Sequence, residues 1–178
     1  FEVRPLPAEA QWAPAFAAVI ADFDGDGHED VFLGQNFSQT EISTPRLDAG
    51  RGLLLLGDGA GALQPAPGQR SGIVIYGDQR GAAASDYDRD GRTDLAVSQN
   101  AGLTRLFHNL GAKPGLTVRL AGGIGNRHGV GAVLRVRYAD GDGPAREIHA
   151  GSGYWSEDGM VPVLGLRGVA KSVWVRWP

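Results

Sequence analysis

Two short stretches, DFDGDGHED at residues 22–30 and DYDRDGRTD at 86–94, set aspartates at alternate positions around a glycine. Counting Asp22 as position 1 puts Asp24 at 3, Asp26 at 5, Gly27 at 6, His28 at 7 and Asp30 at 9. The second stretch repeats the frame with Asp86, Asp88, Asp90, Gly91, Arg92 and Asp94. Carboxylates this close repel one another unless a cation neutralises them or water screens them. Calcium takes six to eight oxygen ligands, and alternate carboxylates in a tight loop can converge on one ion. The carbonyl at position 7 can ligate whatever side chain it carries, which accounts for His28 in one copy and Arg92 in the other. The expected metal sets are Asp22, Asp24, Asp26, the His28 backbone oxygen and Asp30, and Asp86, Asp88, Asp90, the Arg92 backbone oxygen and Asp94. That is two calcium ions per chain. Magnesium fits less well, because it dehydrates reluctantly and rarely takes an all-protein cage. A solvated Asp/Gly turn without metal is the bland alternative, and the duplication of the pattern weighs against it. Position 12 is Leu33 and Val97, where an EF-hand needs a bidentate Glu, so the loops are of a different type.

The duplication extends beyond the loops. AVIADFDGDGHEDVFLGQN (18–36) and AAASDYDRDGRTDLAVSQN (82–100) match at a constant offset, with Gln35-Asn36 recurring as Gln99-Asn100. The flanks FAAVI and DVFLG are too short for helices and read as strands, with GLLLL (52–56) and LTRLF (103–107) adding one strand to each unit. GDGAG (57–61), PAPG (65–68) and YGDQRG (76–81) are turn signals, and the polar stretch 37–52 reads as a surface excursion. GDGAGA at 57–62 imitates a dinucleotide fingerprint, but Pro65 and Pro67 forbid the helix it needs. Phe1–Pro14 reads as the last strand of a preceding blade.

From Lys113 the pattern changes to period-two strands at LTVRL (116–120), AVLRVRY (132–138), REIHA (146–150) and SVWVRW (172–177). The predicted fold is all-β: a partial β-propeller of about two calcium-loop blades over 1–112, then a small β domain over 113–178.

The 178 residues carry a net charge of −3, no cysteine, and 28 glycines. The charge gives no basic face for nucleic acid. The cysteine count excludes a disulfide framework. The glycines fit a fold rich in tight turns. No apolar run is long enough for a membrane span. The first residue is Phe1, which suggests a processed or truncated N-terminus.

The two loops and their flanks resemble FG-GAP/VCBS repeats, the calcium-loop blades of integrin-type propellers. GNRHGVGAVLRV (125–136), HAGSGYWSED (149–158), LGLRG (164–168) and VWVRWP (173–178) resemble the ASPIC/UnbV domain. The chain departs from that pattern at Ser156-Glu157-Asp158 and at Val163–Arg167. The resemblance implies an extracellular, periplasmic or cell-surface module that binds calcium and acts in adhesion, recognition or assembly. A protein or glycan partner is expected, with strand edges covered by the rest of a longer chain or by another subunit.

Arg127 and His128 in a Gly-rich loop, and the aromatic pair Tyr154 and Trp155, are candidate ligand or partner contacts. No catalytic motif is present, so no enzymatic activity is expected. An enzyme or accessory protein of secondary metabolism, or a structural subunit of a larger complex, is the alternative. The enzyme would draw on His128, His149, Glu157 and Asp158 gathered in one pocket. Glu29 has no task in the metal scheme and is expected to face water.

Overall fold

The alternation of apolar and small residues in 15–21 and 30–35 forms two antiparallel strands joined by the first aspartate loop. The computed structural model describes residues 1–178. Strands β1 (Ala15–Ala21), β2 (Asp30–Gln35), β3 (Leu53–Gly57) and β4 (Leu63–Ala66) make one sheet in that order. Strands β5 (Asp78–Ser85), β6 (Asp94–Asn100) and β7 (Gly102–Phe107) make a second. The repeat is kept in register. Ala21 pairs with Asp30 as Ser85 pairs with Asp94, and both hairpins carry an irregularity near the start of their first strand. The sheets pack on each other through Val19, Phe32, Leu54, Ala82, Leu95 and Val97, which are buried in one cluster. GDGAG is the β3–β4 turn, where the Asp58 carboxylate accepts the N–H groups of Ala60 and Ala62.

The second sheet has no counterpart of β4. After β7 the chain leaves the sheet and enters the C-terminal unit. There β9 (Val133–Tyr138) is flanked on one edge by β10 (Gly141–Asp142) and β11 (Arg146–Glu147), and on the other by β13 (Ser172–Arg176). β8 (Leu116–Thr117) pairs with β12 (Val163–Leu164). Leu120, Ala132, Leu134, Val136, Ile148 and Leu164 form this unit's own core. The whole is all-β with open sheets, consistent with a partial β-propeller followed by a small β domain.

Phe1–Pro14 departs from expectation. It forms no strand, only a 3-10 turn at Ala8–Gln11. Pro5, Pro7 and Pro14 remove backbone donors that a strand would need. Ala10 packs on the small cluster of Leu33, Leu53 and Leu55, so the segment covers the outer face of the first sheet without joining it.

The aspartate loops as a candidate metal centre

Each loop joins the first two strands of its sheet, and its carboxylates close it from inside. Asp22 accepts N–H bonds from Gly25 and Gly27, both at 2.7 Å. Asp24 takes the Asp26 N–H at 3.1 Å, and Asp26 takes the His28 N–H at 2.8 Å. Asp30 is fully buried and uses both oxygens, toward Phe23 N at 2.7 Å and Gly57 N at 2.8 Å. The second loop repeats this scheme. Asp86 accepts from Asp90 and Gly91, Asp90 from Arg92, and Asp94 from Tyr87 and Asn109.

In both loops the acids at positions 1, 3 and 9 converge. Asp22, Asp24 and Asp30 bring carboxylate oxygens within 4.8 Å of one another, and so do Asp86, Asp88 and Asp94. Asp26 and Asp90 lie outside these trios, each capping the position-7 N–H. The trios are hard oxygen sets of the type calcium selects.

The first trio shows the cost of crowding. Burial pushes the carboxyls of Asp22 and Asp30 up to about 6, the neighbouring acids adding to the effect and backbone N–H bonds opposing it. Burial and Asp26 also raise Asp24. A cation in the trio must displace those protons. The first loop's calcium affinity is therefore expected to fall as pH drops below about 6, measurable by titrations at pH 7.5 and pH 5.

The second loop is more open and has competing partners. His108 Nε2 lies 2.8 Å from Asp88, and Arg92 pairs with Asp90. Burial raises Asp90, but the Arg92 side chain and N–H, with His108 beyond, outweigh it and hold the carboxyl below its ordinary value.

Residues 22–97 match the family model of the FG-GAP-like repeat, and residues 122–178 match that of ASPIC and UnbV. The chain carries an FG-GAP-like repeat followed by an ASPIC/UnbV domain. No curated protein matches it.

The ASPIC/UnbV domain sits on the first-strand edges of the two repeat sheets. Asp158 accepts the Ala84 N–H at 2.7 Å, and Gly159 donates to Ala84 O at 2.8 Å, which occupies part of the β5 edge. Arg146 donates to Ile20 O on β1 and pairs with Glu29. Glu29, expected to face water, is thus half-buried in an ion pair between the two units. Its partner lies 117 residues away, so no local pattern could show it.

Tyr154 and Trp155 lie at the same seam. Tyr154 meets Phe16 edge-on at 6.4 Å, and Arg80 stacks over Phe16 at 4.0 Å. Trp155 is 89% exposed and has φ of 49°, a conformation uncommon for a bulky residue. Ser152 and Ser156 close the turn beneath it with two hydrogen bonds.

Arg127 and His128 are exposed in the turn before β9, where Asn126 and Val130 bond reciprocally. Of the four residues the enzyme alternative would use, a cleft of about 50 Å³ between the units takes in His149 and Asp158; His128 and Glu157 are not among its walls.

Sequence reasoning missed Asn109. Its N–H serves Asp94, and its side chain donates to Thr93 O and to Phe23 O in the first loop, joining the two loops. Its signal was positional, since it follows the third strand of its sheet as Gly57 ends the third strand of the other.

Proposed function

We propose that the chain is a non-catalytic, calcium-stabilised β module that acts outside the cytosol in adhesion, recognition or assembly. The observation that supports it is the pair of equivalent carboxylate trios at positions 1, 3 and 9, each inside a hydrogen-bonded hairpin loop. Asp22, Asp24 and Asp30 would hold one ion, and Asp86, Asp88 and Asp94 the other, with the carbonyls of His28 and Arg92 and the side chains of Asp26 and Asp90 as further oxygens. Extracellular calcium modules bind at about 10⁻⁴–10⁻³ M, which suits millimolar calcium. A calcium titration is expected to show two ions per chain, the first loop binding more tightly because its charges are more buried. Asp24→Asn and Asp88→Asn are each expected to remove one. Those two acids carry the lightest backbone duties in their loops. A titration with no saturable binding overturns the reading.

A protein or glycan partner fits the exposed aromatic seam at Tyr154 and Trp155. A second reading, a structural subunit, is favoured by the outer edge of β7. No strand pairs there, and Leu103 and Leu106 are exposed. What supports the non-catalytic part of the proposal is the separation of the candidate acid–base groups, only His149 and Asp158 of the four lining one cleft.

A further inference from the structure

Between β7 and β8 the chain crosses both aspartate loops. Lys113 donates its N–H to Asp24 O at 3.4 Å, and Gly115 donates to Gly91 O at 2.7 Å. The first loop is also pressed from above. Gly25 packs on the Lys113 backbone so closely that a Cβ would collide with it, and a Cβ on Gly27 would lie 2.6 Å from Arg167 N. Gly165 rests directly on the Asp22 carboxylate, where a Cβ would overlap Oδ2. Gly165 does not have a positive φ, so space and not backbone conformation demands glycine there. The second loop is bonded to the same segment but packed less closely. A Cβ on Gly91 would meet Pro114 at an ordinary 3.4 Å, and position 4, where the first loop has Gly25, is filled by Arg89 at a φ of 66°.

We propose that Gly165 and Lys113 are positioning residues for the first metal loop, so that calcium there and the docked ASPIC/UnbV domain stabilise each other. The inference rests on the calcium reading above. A cation drawing Asp22, Asp24 and Asp30 together fixes the carboxylate on which Gly165 sits and the carbonyl to which Lys113 is bonded. Lifting the domain frees both. Such coupling is reciprocal: whatever docking adds to calcium affinity, calcium adds to docking. The second trio has no contact of this kind through its carboxylates and serves as an internal control.

The test uses the full chain and calcium alone. Calcium titrations compare the wild type with Gly165→Val, and with Gly168→Val, where an added Cβ meets nothing within 4 Å. Gly165→Val is expected to weaken one site at least tenfold and leave the other unchanged, while Gly168→Val binds as the wild type does. Repeating the series in Asp88→Asn identifies the weakened site as the first loop. A second measurement needs no variant at Gly165. Amide hydrogen exchange at Lys113 and over 163–167 of the wild type is expected to slow at least tenfold with calcium. Equal binding by Gly165→Val, or calcium protection confined to 22–30 and 86–94, overturns the coupling and leaves the calcium reading standing. A wild type that binds no calcium overturns both.

Discussion

Removing calcium with a chelator is expected to lower the melting temperature by about 10–20 °C. The size follows from mass action. A site with a dissociation constant of about 10⁻⁴ M, in about 10 mM calcium, stabilises the native state by about 2.7 kcal/mol. Two sites give about 5 kcal/mol, and each kcal/mol shifts the melting of a chain this size by roughly 2–4 °C. The pH dependence separates this effect from general ionic stabilisation. Without metal, Asp22 and Asp30 have folded-state values of about 6 against ordinary values of 3.8. A carboxyl raised in the folded state stabilises the fold below its unfolded value and loses that contribution as pH rises through its folded value. The metal-free chain is therefore expected to lose stability between about pH 4 and pH 6, the opposite of the usual paired carboxylate. With calcium that loss is removed, so the gap between the two melting curves widens as pH rises. Coincident curves with and without chelator at pH 7.5 sink the calcium reading.

The parts of the fold legible in the sequence were those set by local periodicity. The alternation in β1, and the constant offset between the two loops, mark the hairpins before any coordinates are known; YGDQRG misled, because 78–81, read as a turn, is the first half of β5 and pairs with the end of β6. The aspartate frame marks the two loops but not which acids converge: Asp26 and Asp90 keep the spacing of two and lie outside the trios, turned instead to the N–H at position 7. The seam between the units was not legible. Glu29 and Arg146, and Gly165 and Asp22, are pairs made by docking, and Asn109 and Phe23 join the two sheets of the repeat; all are distant in sequence and without a spacing rule. Phe1–Pro14 misled for the opposite reason. Its Phe-Glu-Val-Arg alternation has the period of a strand, but a strand also needs a neighbour and free donors, and the prolines and the packing of Ala10 supply neither. Two identical loop frames also hid unequal surroundings: the domain that follows covers the first loop closely and leaves the second open.

Replacing the acid at position 9 is expected to be the most damaging single change in either loop. Asp30 and Asp94 are buried, and each accepts two backbone N–H bonds that tie its loop to the end of the third strand. Alanine strands both donors, at about 1–3 kcal/mol each, and in calcium it also forfeits roughly 2.7 kcal/mol of metal binding. The sum, about 5–9 kcal/mol, is comparable with the whole stability of a typical domain. Asp30→Ala and Asp94→Ala are thus both expected to unfold at much lower urea concentrations than the wild type when calcium is present. In chelator the two are expected to part. Asp30 is ionised at pH 7.5 against a raised folded-state value, so removing it also removes an unneutralised buried charge, which offsets part of the stranded-donor cost. Asparagine at either position keeps one acceptor and turns an NH₂ toward the other N–H, so it should fall between wild type and alanine. Urea unfolding of the four variants, with and without calcium, reads these differences directly. An Asp30→Ala chain as stable as the wild type in calcium would mean that the carboxylate neither closes the loop nor holds the ion.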